Sequence, residues 1–437
     1  MAIKWEVKSE AARSFESAQV STRVVKIVGL LVEASPLKIP LGSRLSILTQ
    51  SNQSISVECV GFTDNRLLLM PYGEIDGVSP GDKVIFQSES QSVWVGDDLL
   101  GCVLDGEGHC IDGNNPQLTE QVPLYSKPPS PLDRKNSKET FLTGIRSWDT
   151  FTSMGKGQRM GIFAGTGVGK SVLLGMIARE SSADINVLAL VGERGHEVKE
   201  FMEGVLGEEG MKKTVLVVAT SDQSPLMRMR AAFVAKAIAE YFAAQGKDVL
   251  YMMDSVTRMA MAMRELGLSV GEPPTAKGYP PSVFAMMPRL LERAGSFEKG
   301  SITSVITVLL EGDDLQDPIG DAVRGILDGH VVLSRDLANR GHYPAIEVTE
   351  SISRWMSDVV DEEWMQMAIT GRKAMSDYKQ AEDLINVGAY VQGSNPDIDA
   401  AIACRPTLNA FLTQAVNEVS KGQELVGDLK RIFQVEE

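Results

Sequence analysis

Between positions 24 and 95 the apolar residues arrive in short clusters. Val24, Val25, Ile27 and Val28 come first, then the alternate positions Ile55, Val57 and Cys59, then 67–70, 84–86 and 93–95. Gly42, the pair Asp64 and Asn65, and the pair Pro80 and Gly81 punctuate these runs, which therefore read as short strands joined by turns. So many short strands in so few residues predict a small closed β-barrel. A stretch rich in Pro, Ser and charge, from Lys127 through Pro128, Pro129 and Pro131 to Lys138, reads as an extended connection. After it, apolar runs at 160–164, 185–191, 215–219, 249–253, 302–310 and 331–333 alternate with helix-like stretches, the texture of a mainly parallel sheet covered by helices. Past about residue 357 no strand signal returns, and the remainder reads as helical with a turn around Gly393, Ser394, Asn395 and Pro396. At the start of the chain Ile3, Val7, Ala11 and Phe15 recur every four residues among charges, which predicts a short amphipathic helix. Such a helix is marginal alone. It is either a frayed terminus or a segment that becomes helical when a partner covers its stripe.

These patterns divide the chain into an N-terminal segment (1–22), a barrel (23–96), an α/β domain (97–356) and a C-terminal helical domain (357–437). A length of 437 residues has room for them, at about 150 residues per domain. Hydrophobic residues at 43% and charged residues at 23% exclude a disordered or fibrous chain. The formal charge of −15 argues against nonspecific nucleic-acid binding. Lys4, Glu6, Lys8 and Glu10 interrupt the place where a signal peptide needs its apolar region, and no run is long enough to span a bilayer, so a cytoplasmic protein is expected. Cys59, Cys102, Cys110 and Cys404 form no CxxC pair. Cys102, His109 and Cys110 lack a fourth metal ligand nearby, and the cysteines read as structural thiols without disulfides.

Chemistry enters at 164–171, where Ala164, Gly165, Thr166, Gly167, Val168, Gly169, Lys170 and Ser171 follow a strand and open a helix expected over 172–180. Glycines let backbone N–H groups fold around phosphates, and the helix N-terminus adds its positive end. Lys170 would reach the β- and γ-phosphates, and Ser171 would offer its hydroxyl to Mg²⁺. This is a P-loop with one departure: Ala164 stands where the pattern has its first glycine, which is tolerable if that residue keeps an ordinary strand conformation. The run 249–253 ends in Asp254, which is how the acid on the metal side of such a site is presented. Hydrolysis also needs a group that orients water. Glu193 directly follows the run 185–191, at the carboxyl edge where ligands of open α/β sheets sit, and is the candidate base. The competing reading makes it a solvated loop acid paired with Arg194, and His196 reads as a surface residue.

Taken together these stretches resemble the family of rotary and protein-export ATPases that includes the catalytic subunit of the ATP synthase. The resemblance extends through Gly192-Glu193-Arg194, Met253-Asp254-Ser255 with Arg258, Gly278-Tyr279-Pro280-Pro281-Ser282, Tyr343-Pro344-Ala345-Ile346 and Ser351-Ile352-Ser353-Arg354, and so spans the central domain. Asp328 through Arg335 and the run Ser224-Pro225-Leu226-Met227-Arg228 look like the export ATPases of type III secretion. Gly388-Ala389-Tyr390, Gly393-Ser394 and Asp399-Ala400-Ala401-Ile402 are similar to the flagellar rather than the injectisome branch. Glu347 departs from the usual Asp or Asn, and Cys102 and His109 stand where related proteins tend to have arginines.

The fold implied is an α/β P-loop NTPase core with a mainly parallel sheet, an N-terminal small β-barrel and a C-terminal helical domain. ATP and Mg²⁺ are the implied cofactors. Gly165, Thr166, Gly167, Val168, Gly169, Lys170, Ser171 and Val172 would hold the nucleotide, with Tyr343 packing on adenine. Glu193 would be the catalytic carboxylate, aided by Lys170, Arg194 and Arg258, and Asp254 would act through the metal. Arg354 matches the arginine that a neighbouring subunit inserts into the site. From the residues alone, Tyr343 could equally be a packed turn aromatic and Arg354 a surface charge. The implied assembly is a homo-hexamer at the cytoplasmic face of the inner membrane that unfolds and delivers flagellar proteins. Its implied partners are a regulator bound through the N-terminal segment, a central stalk protein, membrane proteins of the export gate, and export chaperones with their substrates. No nucleic acid is implied. Three competitors stand beside this reading: the injectisome ATPase of the same family, a noncatalytic nucleotide-binding ring subunit, and an RNA-translocating ring helicase. Glu193 beside Lys170 and Asp254 speaks against the second, and the net charge of −15 against the third.

Overall fold

The computed structural model describes residues 20–433 except positions 90, 136, 311, 313, 315, 316 and 421, so the stripe of Ile3, Val7, Ala11 and Phe15 lies outside the described residues. Two compact units divide the chain: one runs up to residue 92 and takes in 265–273, and the other holds 93–264 and the residues from 274 onward.

Six strands form the barrel of the first unit: β1 (Ser21–Val28), β2 (Leu31–Ala34), β3 (Arg44–Leu48), β4 (Ser54–Thr63), β5 (Arg66–Pro71) and β6 (Lys83–Ser88). They close in the order β1, β2, β5, β4, β3, β6, with β6 returning to β1. Alternate residues point inward, and Leu45, Ile47, Val57, Leu69 and Val84, each 0% exposed, fill the interior. The apolar cluster at 24–28, interrupted only by Lys26, is not a strand buried on both faces. A bulge between Val24 and Lys26 leaves Val25 outside while Val24 stays in the core.

The second unit is built on a sheet whose strands run, from one edge to the other, Ile352–Ser353, Gly329–Leu333, Arg159–Ala164, Ser301–Leu309, Asp248–Asp254, Ile185–Val191, Thr214–Ala219 and Val103–Leu104. Neighbours are parallel except for Ile352–Ser353, which pairs antiparallel with Gly329–Leu333, and Gly295–Ser296, which pairs antiparallel with Ser301–Leu309. Helices cover both faces, so Ile185–Val191 and Thr214–Ala219 are buried along their whole length, and their residues are almost continuously apolar. Parallel pairing brings the carboxyl ends at Ala164, Val191, Ala219, Asp254, Leu309 and Leu333 to one edge.

The helices Glu362–Asn386, Pro396–Leu412 and Leu425–Phe433 pack into the same unit. Leu408, Phe411, Leu412 and Leu429 share one core with Trp148, Phe151 and Met160. Asp361 and Asn395 cap the first two helices by accepting from the N–H groups of Trp364 and Asp397. Among the described residues no helix is long and apolar enough to cross a membrane.

Candidate active site

The loop at 164–171 leaves the strand Arg159–Ala164 and enters the helix Lys170–Glu180, which begins two residues earlier than the position read from the sequence. Gly167 (φ 76°) and Gly169 (φ 89°) take the left-handed conformation that side chains resist, and this lets the helix start at Lys170 itself. Ala164 sits in regular register between Leu309 and Leu333 and is 0% exposed, so the first loop position needs no glycine here. Val168 is buried, whereas Thr166, Ser171 and Val172 are exposed along the loop and the first helical turn.

Lys170 Nζ donates to Asp254 Oδ1 and lies 3.7 Å from Glu193 Oε1. Asp254, 2% exposed at the end of its strand, also accepts from Thr307 Oγ1 at 2.8 Å. Glu193 stands on the loop after Ile185–Val191, where its carbonyl accepts from the Ser221 N–H at 3.0 Å. Its Oε1 is buried without a hydrogen-bond donor. Burial first, and the Asp254 charge second, push the Glu193 carboxyl up to about 7, with Lys170 opposing. The structure gives the loop ion pair to a different acid: Arg194 is mostly exposed and reaches Glu197 at 3.6 Å, while Glu193 faces Lys170. His196 is likewise exposed beside Glu197. Arg258, four residues after Asp254, adds positive charge at Glu193, and its buried Nε has no acceptor. Two buried polar atoms of opposite character without hydrogen-bond partners thus stand near a lysine held by a carboxylate, a set of groups suited to a charged ligand.

Tyr343, 44% exposed, lies over the loop, because a Cβ added to Gly169 would meet its Cε1 at 3.3 Å. Its carbonyl accepts from the Gln414 N–H at 2.9 Å. Gln414 in turn donates from Nε2 to the Gly144 carbonyl at 2.9 Å, so the segment after the helix Pro396–Leu412 braces the aromatic. Glu347 fills the place of the shorter acid by capping the turn Val348–Glu350, accepting from Thr349 N and from Lys379 Nζ at 3.3 Å.

Arg354 is not brought to this cluster. Its N–H donates to the Asp328 carbonyl at 2.9 Å, just before the strand Gly329–Leu333, and Ser353 pairs with Gly329. The P-loop departs from the other end, where Ala164 pairs with Leu333. Four strand steps, about 13 Å at 3.3 Å per residue, separate the two ends. Sequence reasoning missed Thr307, Gln414 and Arg335, whose guanidinium donates to the Thr166 carbonyl at 3.1 Å. Thr307 carries a faint signal, a hydroxyl in a strand buried almost throughout, and Gln414 carries none.

Among the described residues no three His, Cys, Asp or Glu side chains gather to hold a metal ion. Mg²⁺ is ordinarily held by one or two protein oxygens together with substrate phosphates. The exposed hydroxyl-bearing Ser171 next to Lys170 and the carboxylate of Asp254 supply that donor set.

Residues 144–353 match the nucleotide-binding domain of the ATP synthase alpha/beta family, and residues 360–431 match the C-terminal domain of the EscN ATPase of type III secretion. The flagellum-specific ATP synthase of Bacillus subtilis is 49% identical over 418 residues, 95% of each chain. The type 3 secretion system ATPase of Xanthomonas euvesicatoria is 46% identical over 400 residues, 91% of this chain and 90% of its own. The assembled ATPase EscN from the type III secretion system of enteropathogenic E. coli superimposes with a TM-score of 0.90 at 44% identity, over 94% of this chain and all of the other. A second structure holds EscN with its central stalk EscO, at a TM-score of 0.88 and 43% identity.

Proposed function

On the premise that the chain belongs to the family of flagellum-specific ATP synthases and type III secretion ATPases, we propose that it hydrolyses Mg-ATP at the P-loop to drive export of flagellar proteins, as one subunit of a homo-hexameric ring. The observation that carries this reading is the convergence of Lys170, Glu193 and Asp254. On arrival of a triphosphate, Lys170 exchanges Asp254 for the β- and γ-phosphates, which leaves Glu193 facing the terminal phosphate with its unpartnered oxygen free to accept from water. Mg²⁺ held by Ser171 and Asp254 would neutralise phosphate charge. Arg258 adds charge beside Glu193 from within the chain, and Tyr343 offers its exposed face to adenine. Arg194, directed at Glu197, acts at most at the rim of the site. Arg354 lies at the wrong end of its own sheet, which supports its insertion into a neighbour's site.

The flagellar branch is favoured over the injectisome by the motif after residue 388. Tyr390 Oη donates to Asp399 Oδ1 at 2.9 Å and Gly393 N to Asp399 Oδ2 at 2.8 Å, so these motif residues build one turn together. In this reading the segment 1–22 binds a regulator, a central stalk engages the ring, and chaperone-bound cargo is delivered to gate proteins at the cytoplasmic face of the inner membrane. Glu193→Gln tests the proposal. The isosteric amide should bind ATP normally, nearly abolish turnover, and leave cells that carry only this form without flagella. Near-normal turnover would return Glu193 to the role of a buried structural acid.

A further inference from the structure

Arg335 is the first residue of a short helix that follows the strand Gly329–Leu333, with Ser334 capping the helix through the Leu337 N–H. That strand lies beside the P-loop strand in parallel register, with Leu333 opposite Ala164. The pairing therefore delivers Arg335 to the loop just as the loop leaves the sheet, and its Nη1 donates to the Thr166 carbonyl at 3.1 Å. A peptide unit is planar and trans, so holding the carbonyl of Thr166 on one side fixes the N–H of Gly167 on the other. Gly167, at φ 76° with nothing within 4 Å of where its Cβ would stand, has no side chain to resist rotation of that peptide.

We propose that Arg335 is a positioning residue for nucleotide binding: it clasps the Thr166 carbonyl, prevents the Thr166–Gly167 peptide from turning over, and keeps the Gly167 N–H in the phosphate cradle. The proposal rests on the reading of this loop as the ATP site. In this proposal Arg335 acts through the hydrogen bond to the loop backbone and not on the transferring phosphoryl group itself. Its contribution belongs to binding in ground state and transition state alike.

The test compares full-length wild type with Arg335→Ala, Arg335→Gln and Arg335→Lys. Equilibrium binding of ATP and ADP, kcat, KM and thermal midpoint are measured for each. Arg335→Ala should raise the Kd for both nucleotides and the KM for ATP by about tenfold, the worth of one net hydrogen bond. At saturating ATP, kcat should stay within about twofold of wild type. Arg335→Gln, neutral but still able to donate to the carbonyl, should recover most of the affinity. Unchanged affinity in Arg335→Ala overturns the proposal. So does rescue by Lys but not by Gln, which would assign the effect to charge alone, and so does a loss of affinity that tracks a lowered thermal midpoint. Failure of wild type to bind ATP at all would sink the nucleotide-site reading itself, an outcome separate from any of these.

Discussion

Glu193 has its carboxyl raised to about 7 by burial and by Asp254, so near neutrality it divides between an acid that cannot accept a proton and a carboxylate that can. Only the carboxylate serves as a base, and it dominates above the raised value. The pH profile of kcat/KM, which reports the free enzyme, should therefore climb roughly tenfold per unit below that point and level off above it. A profile flat from about pH 6 to 8.5 contradicts this placement of the base. The same burial separates Glu193 from Glu197 as the proposed base, although the two stand on one short segment. Glu197 faces solvent and Arg194, and its pKa moves downward despite the burial it has, chiefly through the hydrogen bond from Glu193.

Among the elements, the helix Pro225–Ala244 shows how far burial reaches. Lys236, 0% exposed, points its Nζ at the Tyr251 ring, 3.6 Å from the centroid, and lies 3.4 Å from Ser304 Oγ. Burial, and after it the Arg293 charge, hold its pKa well below the ordinary lysine value. The folded chain holds that proton more weakly than the unfolded chain does, so this lysine lowers stability progressively as pH falls below its unfolded value. Lys236→Met should therefore match or exceed wild type in urea midpoint at neutral pH, and its advantage should shrink toward pH 10. A clear loss of stability at neutral pH would mean that the ammonium is charged and held by Tyr251. Strands of the central sheet were legible as apolar runs because burial on both faces demands continuous hydrophobicity. The barrel strands β2 and β3 left weaker traces: β2 has four residues, and only Leu45 and Ile47 mark the alternation of β3. Of the site, Lys170, Glu193 and Asp254 stood out because spacing and strand ends carry them. Gln414 and Arg335 reach the site through strand pairing and a helical turn far along the chain, which no local pattern records.

At the scale of the whole molecule, the sheet topology sets the argument for a shared site. The strand Ile352–Ser353 runs back along Gly329–Leu333 and leaves Arg354 beside Asp328, at the end of the sheet away from Lys170. If Arg354 stabilises the transferring phosphoryl group, the group belongs to another copy of the chain. Arg354→Ala alone should lower turnover by about 10³-fold or more. The most direct measurement mixes two inactive variants, Arg354→Ala and Glu193→Gln, and follows ATP turnover of the assembled rings. A pair in which the first variant supplies Glu193 and the second supplies Arg354 contains one complete site, and random mixing makes about a quarter of the interfaces this way. The account predicts turnover well above the sum of the two variants measured apart. Turnover that never exceeds that sum, with mixed rings shown to form, would contradict it.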